Sequence, residues 1–239
     1  SIAVAVLLTF KFDIDLFALI LKVFSPIQGF GQTLPGFVLL IFLMTFFYTL
    51  GISHWLWNGI KTPIFMAGIA ANIAAVEQGL SATNIATNEA VFTAGLITMG
   101  GMGATLTLNL LMCFSKSKSL KTVGRLSILP SIFNINEPIM YSAPIVMNPL
   151  LMVPMWINAI TGPLVIWFTM RSGFLNIPSK MIQVGQIPAP LSSVMITEDL
   201  RAIIVYILLF IIYLATWYPF FKVYEKQRIT EEEFEATSK

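Results

Sequence analysis

The sequence predicts an all-α integral membrane protein, a multi-span helical bundle with a re-entrant hairpin and an interfacial amphipathic helix. Three observations carry this expectation. The 239 residues are 56% hydrophobic and only 11% charged, with a mean hydropathy of +0.82, whereas ordinary soluble domains carry about a quarter charged residues. Apolar stretches of the length that crosses a bilayer, about 20 residues, recur along the chain. Within the apolar sequence, Asn134-Ile135-Asn136-Glu137-Pro138 sets a carboxylate between carboxamides and a proline.

Residues 2–10 are apolar but too short to span, and they lack the basic flank of a signal peptide. They read as the end of a span whose beginning lies outside this sequence. In residues 13–24, Ile14, Phe17, Leu21 and Phe24 fall at helical spacing with Asp13, Asp15 and Lys22 on other faces, predicting a helix in the membrane plane. A turn rich in glycine and proline follows to residue 36. Residues 37–57 are apolar enough to span and end at His54, Trp55, Trp57 and Asn58, where tryptophans commonly mark the water boundary. Residues 61–76 carry Ala67, Ala71 and Ala75 four apart, a stripe suited to close packing of a buried span or re-entrant piece.

Residues 77–89 are polar and read as a loop. Residues 90–114 are long enough to span, with Gly95, Gly100, Gly101 and Gly103 expected to allow tight packing. Lys116, Lys118, Lys121 and Arg125, and later Lys222, Lys226 and Arg228, place two segments in the cytoplasm by their positive charge. The spans at 145–168 and 202–221 join those two ends, so residues 126–143 must enter and leave on one side as a re-entrant hairpin. Residues 172–200, with Pro178, Pro188 and Pro190, form the outer connection, where Asp199 and Arg201 anchor the last span. The expected units are thus 1–36, a substrate-binding transmembrane domain at 37–221, and a cytoplasmic tail at 222–239.

A net charge of +2 without a basic run interleaved with aromatics gives no basis for nucleic-acid binding. The single cysteine, Cys113, excludes an intramolecular disulfide and reads as a packed thiol, and the single histidine, His54, has no second ligand with which to share a metal. There is no phosphate-binding loop of the G-x-x-x-x-G-K-[ST] type and no G-x-S-x-G elbow, so neither a nucleotide engine nor a serine hydrolase is expected, nor any cofactor.

An ionisable group at membrane depth is costly and is read first as functional. Pro138 bars an unbroken helix through the motif, and broken backbone at depth needs a water-lined or protein-lined cavity. The carboxylate of Glu137 with the amides of Asn134 and Asn136 suits hydroxyl-rich cargo; the competing reading is a surface turn with a solvated glutamate. His54 likewise has two readings. It satisfies a backbone carbonyl, or it joins Trp55, Trp57 and Asn58 in a sugar site, indole covering the C–H face of a pyranose while His and Asn bond its hydroxyls.

Phe133-Asn134-Ile135-Asn136-Glu137-Pro138, followed by Pro144-Ile145-Val146-Met147-Asn148-Pro149, resembles the signature region of enzyme IIC, the membrane subunit of bacterial phosphotransferase-system permeases of the lactose/cellobiose/diacetylchitobiose group. Thr33-Leu34-Pro35-Gly36, the histidine segment and Tyr218-Pro219-Phe220-Phe221-Lys222 fit the same family in the same order. The resemblance covers nearly the whole chain and corresponds to the C-terminal, substrate-binding half. The family's usual Gly-Ile-His-Gly is here Gly51-Ile52-Ser53-His54-Trp55, a departure bearing on the placement of His54 and on sugar selectivity.

The resemblance implies a permease subunit of the bacterial cytoplasmic membrane, multi-pass with a cytoplasmic C-terminus. It would bind a β-linked disaccharide and carry it across by an elevator-like movement. A cytoplasmic IIB partner, charged in turn by IIA, would then phosphorylate the sugar from a phosphocysteine; Cys113 matches no such motif. Glu137 would hold the acceptor hydroxyl and assist its deprotonation, and His54 would fix a second hydroxyl. Asn134 and Asn136 would shape the hairpin or contact sugar, and Trp55 and Asn58 complete the expected binding set. Membrane lipid and a second copy of the full-length protein are the other implied partners. Two other classes are a proton-coupled secondary sugar transporter with Glu137 titrating, and a truncated remnant that does not transport.

Overall fold

The computed structural model describes residues 26, 28–182 and 187–237, and the described secondary structure is helical throughout. The expected span end at 2–10 and the interfacial helix at 13–24 lie outside the described residues. Helix α1, Leu34–Thr49, begins where Thr33 accepts a hydrogen bond from Gly36 N–H at 3.2 Å, with Pro35 in the first turn. It stops at Gly51, whose φ of +88° ends the helix cheaply because glycine has no Cβ.

A short 3₁₀ turn, His54–Trp57, then leads directly into α2, Asn58–Glu77. The expected span at 37–57 is therefore two pieces, and the histidine opens the second helix rather than closing the first. Among the described residues, three helices are long and apolar enough to cross a membrane: His54–Glu77 with its leading turn, α6 at Pro149–Arg171, and α8 at Ala202–Thr237.

The expected span at 90–114 is also corrected. A π turn at Glu89–Thr93 gives way to irregular backbone before a short helix α3, Leu106–Cys113. Gly95, Gly100, Gly101 and Gly103 all have positive φ, so these glycines serve the backbone path and not helix packing. Buried irregular backbone needs partners for its polar groups, and side chains from neighbouring elements supply them. Trp217 Nε1 donates to Ala104 O at 3.0 Å, Tyr213 Oη to Leu96 O at 3.1 Å and Asn158 Nδ2 to Gly103 O at 3.2 Å. Gly162 makes room for this, since a Cβ there would lie 2.4 Å from Tyr213 Oη.

Helix α4, Lys118–Ile132, packs on α3 and breaks at residues 133–136 before α5, Glu137–Ser142. Residues 126–143, expected as a re-entrant hairpin, are thus helix, broken tip and helix. Helix α6 starts on an Asn148 cap that accepts from Leu150 N–H at 3.1 Å, and packs on α1 and α8. The connection at 172–200 contains α7, Ala189–Thr197, a helix not anticipated there. Asn72 of α2 ties this region together without exposure, donating to Asn84 O and Pro178 O at 2.8 Å each. Asp199 and Arg201 pair at 2.8 Å before α8.

The residues of the expected tail, 222–239, are helical through Thr237. At 1.5 Å rise, 36 residues reach about 54 Å against a hydrocarbon core of about 30 Å, so its charged C-terminal part lies beyond the membrane. There two glutamates clamp the basic loop. Glu225 accepts from Ser115 Oγ and Lys116 N–H, both at 2.7 Å. Glu232 caps the start of α4, accepting from Ser117 Oγ at 2.7 Å, Ser119 N–H at 2.9 Å and Lys118 N–H at 3.1 Å.

Hydrogen bonding led by Ser117 holds the Glu232 carboxyl down to about 2. A depressed folded pKa stabilises above the ordinary carboxylate pKa, and the contribution is lost as pH falls from about 4.5 through about 2. Protection of the amides at residues 117–120, relative to the intrinsic exchange rate at each pH, should fall over that window, and Glu232→Gln should lower it already at neutral pH.

Candidate functional site

Two broken tips meet in the core. Asn134 has a φ of +61°, which asparagine tolerates better than other residues bearing a Cβ, and its Oδ1 accepts from Gly100 N–H at 2.9 Å. Asn136 is 2% exposed; its Nδ2 donates to Met102 O at 2.9 Å while Oδ1 accepts from Tyr48 Oη of α1 at 3.2 Å. Only glycine fits opposite it. At Gly101, with φ +108°, a Cβ would lie 2.3 Å from Asn136 Cγ.

The tips frame a cavity of about 720 Å³, within the range of small-molecule sites. His54, Trp55, Asn134, Asn136 and Glu137 line it together, although the two sequence segments are some 80 residues apart. Asn58 does not line it. It is the first residue of α2, where the chain has already turned into the helix.

The aromatic ring of His54 is set by its neighbours. Tyr48 meets it edge-on at 5.4 Å, Trp55 lies tilted at 5.1 Å, and Phe92 stacks at 6.4 Å. His54 Nδ1 is buried and has no hydrogen-bond partner among the described residues. Trp55 remains 63% exposed, leaving an indole face free at the cavity. Glu137 opens α5 with Pro138 behind it. Among the described residues its carboxylate has neither a hydrogen-bond donor nor a cation within 4.0 Å, so its oxygens remain available.

Asn134 bonds the frame through its amide oxygen and Asn136 through both ends of its amide. Sequence reasoning missed Lys61, Asn88, Phe92, Thr93 and Thr98, which also line the cavity. Lys61 was legible in principle: it stands two helical turns after His54 and so on the same face. The others sit on the polar loop, the π turn and the irregular backbone after it, where no periodicity signals a site.

These features define a class: a multi-pass helical membrane protein with a polar and aromatic cavity enclosed by broken hairpins. The chain belongs to the phosphotransferase system EIIC family, whose model matches residues 1–159. It is 33% identical to the cellobiose-specific EIIC component of Geobacillus stearothermophilus, over 89% of this chain and 48% of that protein. With the lactose-specific EIICB component of Staphylococcus epidermidis it shares 34% identity over 89% of this chain and 37% of that protein. The crystal structure of ChbC, the IIC component of an N,N'-diacetylchitobiose-specific phosphotransferase system, superposes with a TM-score of 0.82 at 32% identity, covering 87% of this chain and 49% of ChbC. The chain spans about half the length of curated relatives that it matches.

Proposed function

We propose that this chain is the sugar-binding part of a phosphotransferase-system permease that takes a β-linked disaccharide of the cellobiose, diacetylchitobiose or lactose type. The observation that carries this reading is the free carboxylate of Glu137 facing the same cavity as His54 and the exposed face of Trp55. A carboxylate and an imidazole bind hydroxyls, and the indole covers a sugar's C–H face. The relatives named for cellobiose, lactose and diacetylchitobiose support the substrate class. The EIICB relatives support a IIB partner that phosphorylates the bound sugar. In this reading Glu137 holds the acceptor hydroxyl and takes its proton, and His54 fixes a second hydroxyl.

The domain limits 37–221 for sugar binding, a bacterial inner-membrane location and dimerisation of the full-length protein belong to the same reading. A cytoplasmic C-terminus is supported by the clamp, which holds Lys116 and Lys118 against the helix bearing Lys222, Lys226 and Arg228. Calorimetry on the full-length permease should detect saturable cellobiose, lactose or diacetylchitobiose binding without nucleotide. In vesicles, uptake should require the phosphorylated partner. Uptake driven by a pH gradient alone would replace this reading with proton coupling at Glu137.

A further inference from the structure

Lys61 is the part of the cavity that sugar recognition leaves unexplained. It is 7% exposed, and its Nζ lies 4.1 Å from the centroid of Phe92 and 5.5 Å from that of Trp55. Among the described residues no carboxylate stands within 4.0 Å of it; the ion pairs there are Lys180–Glu198, Arg201–Asp199, Lys222–Glu225 and Arg228–Glu231. Withdrawing an ammonium from water without a counter-ion is expensive, and aromatic faces return only part of that cost. A cation kept at that cost beside a sugar site implies an anion that arrives during the cycle.

We propose that Lys61 is the cation that receives the phosphoryl group as it enters the cavity. The proposal rests on the phosphotransfer reading above. A phosphoryl group brings about −1.5 to −2 charge, into a site that already contains Glu137. In the transfer the P–S bond of the partner's phosphocysteine breaks, its electron pair leaving on sulfur. The P–O bond to the sugar hydroxyl forms, and the hydroxyl proton passes to the Glu137 carboxylate. Lys61 forms no covalent bond. Its charge offsets that of the phosphoryl oxygens, and Phe92 and Trp55 hold the ammonium in place before they arrive, so little reorganisation is needed. A neutral disaccharide gains little from the same charge, so the effect falls on transfer and not on binding.

The test uses the full-length permease with its phosphorylated IIB partner, and measures disaccharide Kd by calorimetry alongside initial phosphorylation rates. Lys61→Met should lower kcat about a hundredfold or more while moving Kd by less than about threefold. Lys61→Arg, which keeps the charge, should recover much of the rate. Lys61→Gln should show the same split as Lys61→Met and replaces it if the methionine variant does not fold. Unchanged kcat in the neutral variants would overturn the proposal, as would weakened binding with kcat intact, which would make Lys61 a sugar ligand. A wild-type protein that binds no β-disaccharide, or is not served by the partner, would sink the phosphotransfer reading itself.

Discussion

Glu137→Gln should lose phosphorylation by about a hundredfold or more, the scale of a positioned general base. Disaccharide binding should weaken by about tenfold or more, because a hydrogen bond to a charged acceptor is worth about 1.5–3 kcal/mol. The substitution keeps the shape of the side chain and one acceptor oxygen, and it disturbs no contact, since the carboxylate accepts no hydrogen bond from the described residues. The fold and thermal stability should therefore remain those of the wild type. Calorimetry and initial rates with the phosphorylated partner separate the two effects. If both stay within about twofold of wild type, less than about 0.5 kcal/mol, Glu137 is not the group that holds the acceptor hydroxyl.

Asn136→Leu should have the largest effect on stability. Its amide joins the tip before α5 to α1 through Tyr48 Oη and to the glycine-rich segment through Met102 O. Leucine is of similar size but strands both partners away from water. An unsatisfied buried group costs about 1–3 kcal/mol, so two give roughly 2–6 kcal/mol. The melting temperature of the full-length protein in detergent should fall clearly, and disaccharide binding should fall with it as the two tips separate. Tyr48→Phe removes one stranded group. In the Asn136→Leu background it should cost less than it does alone, giving a non-zero coupling energy in the double-mutant cycle. Additive effects would mean that the two side chains do not act together.

The two residues show why the sequence reading succeeded and where it stopped. Glu137 stood out because a carboxylate in an apolar chain is expensive, and Pro138 told of broken backbone whatever surrounded it. The two roles open to Asn136 had no such signature. Whether its amide faces sugar or frame depends on Tyr48, 88 residues earlier, and Met102, 34 residues earlier, whose positions are set by packing. The glycines at 95–103 carry the same lesson. Glycine suits close helix packing and left-handed backbone equally, and composition does not choose between them. Trp217, Tyr213 and Asn158 decide it by satisfying the carbonyls that an irregular path exposes.

The helical break at Gly51 moved His54 from the end of one helix to the start of the next, which composition could not indicate because both sides are apolar. Likewise composition could not indicate that the tail after Phe221 continues the last helix, where Glu225 and Glu232 hold it against the loop at 115–119.

The sequence by itself determined the membrane class, the re-entrant motif and its costly carboxylate, since these follow from transfer free energies that act residue by residue. Only the tertiary structure decided which side chains share the cavity, that Lys61 belongs there and that Asn58 does not. Those outcomes depend on where two broken tips meet, and that meeting is fixed by hydrogen bonds between residues far apart in the chain.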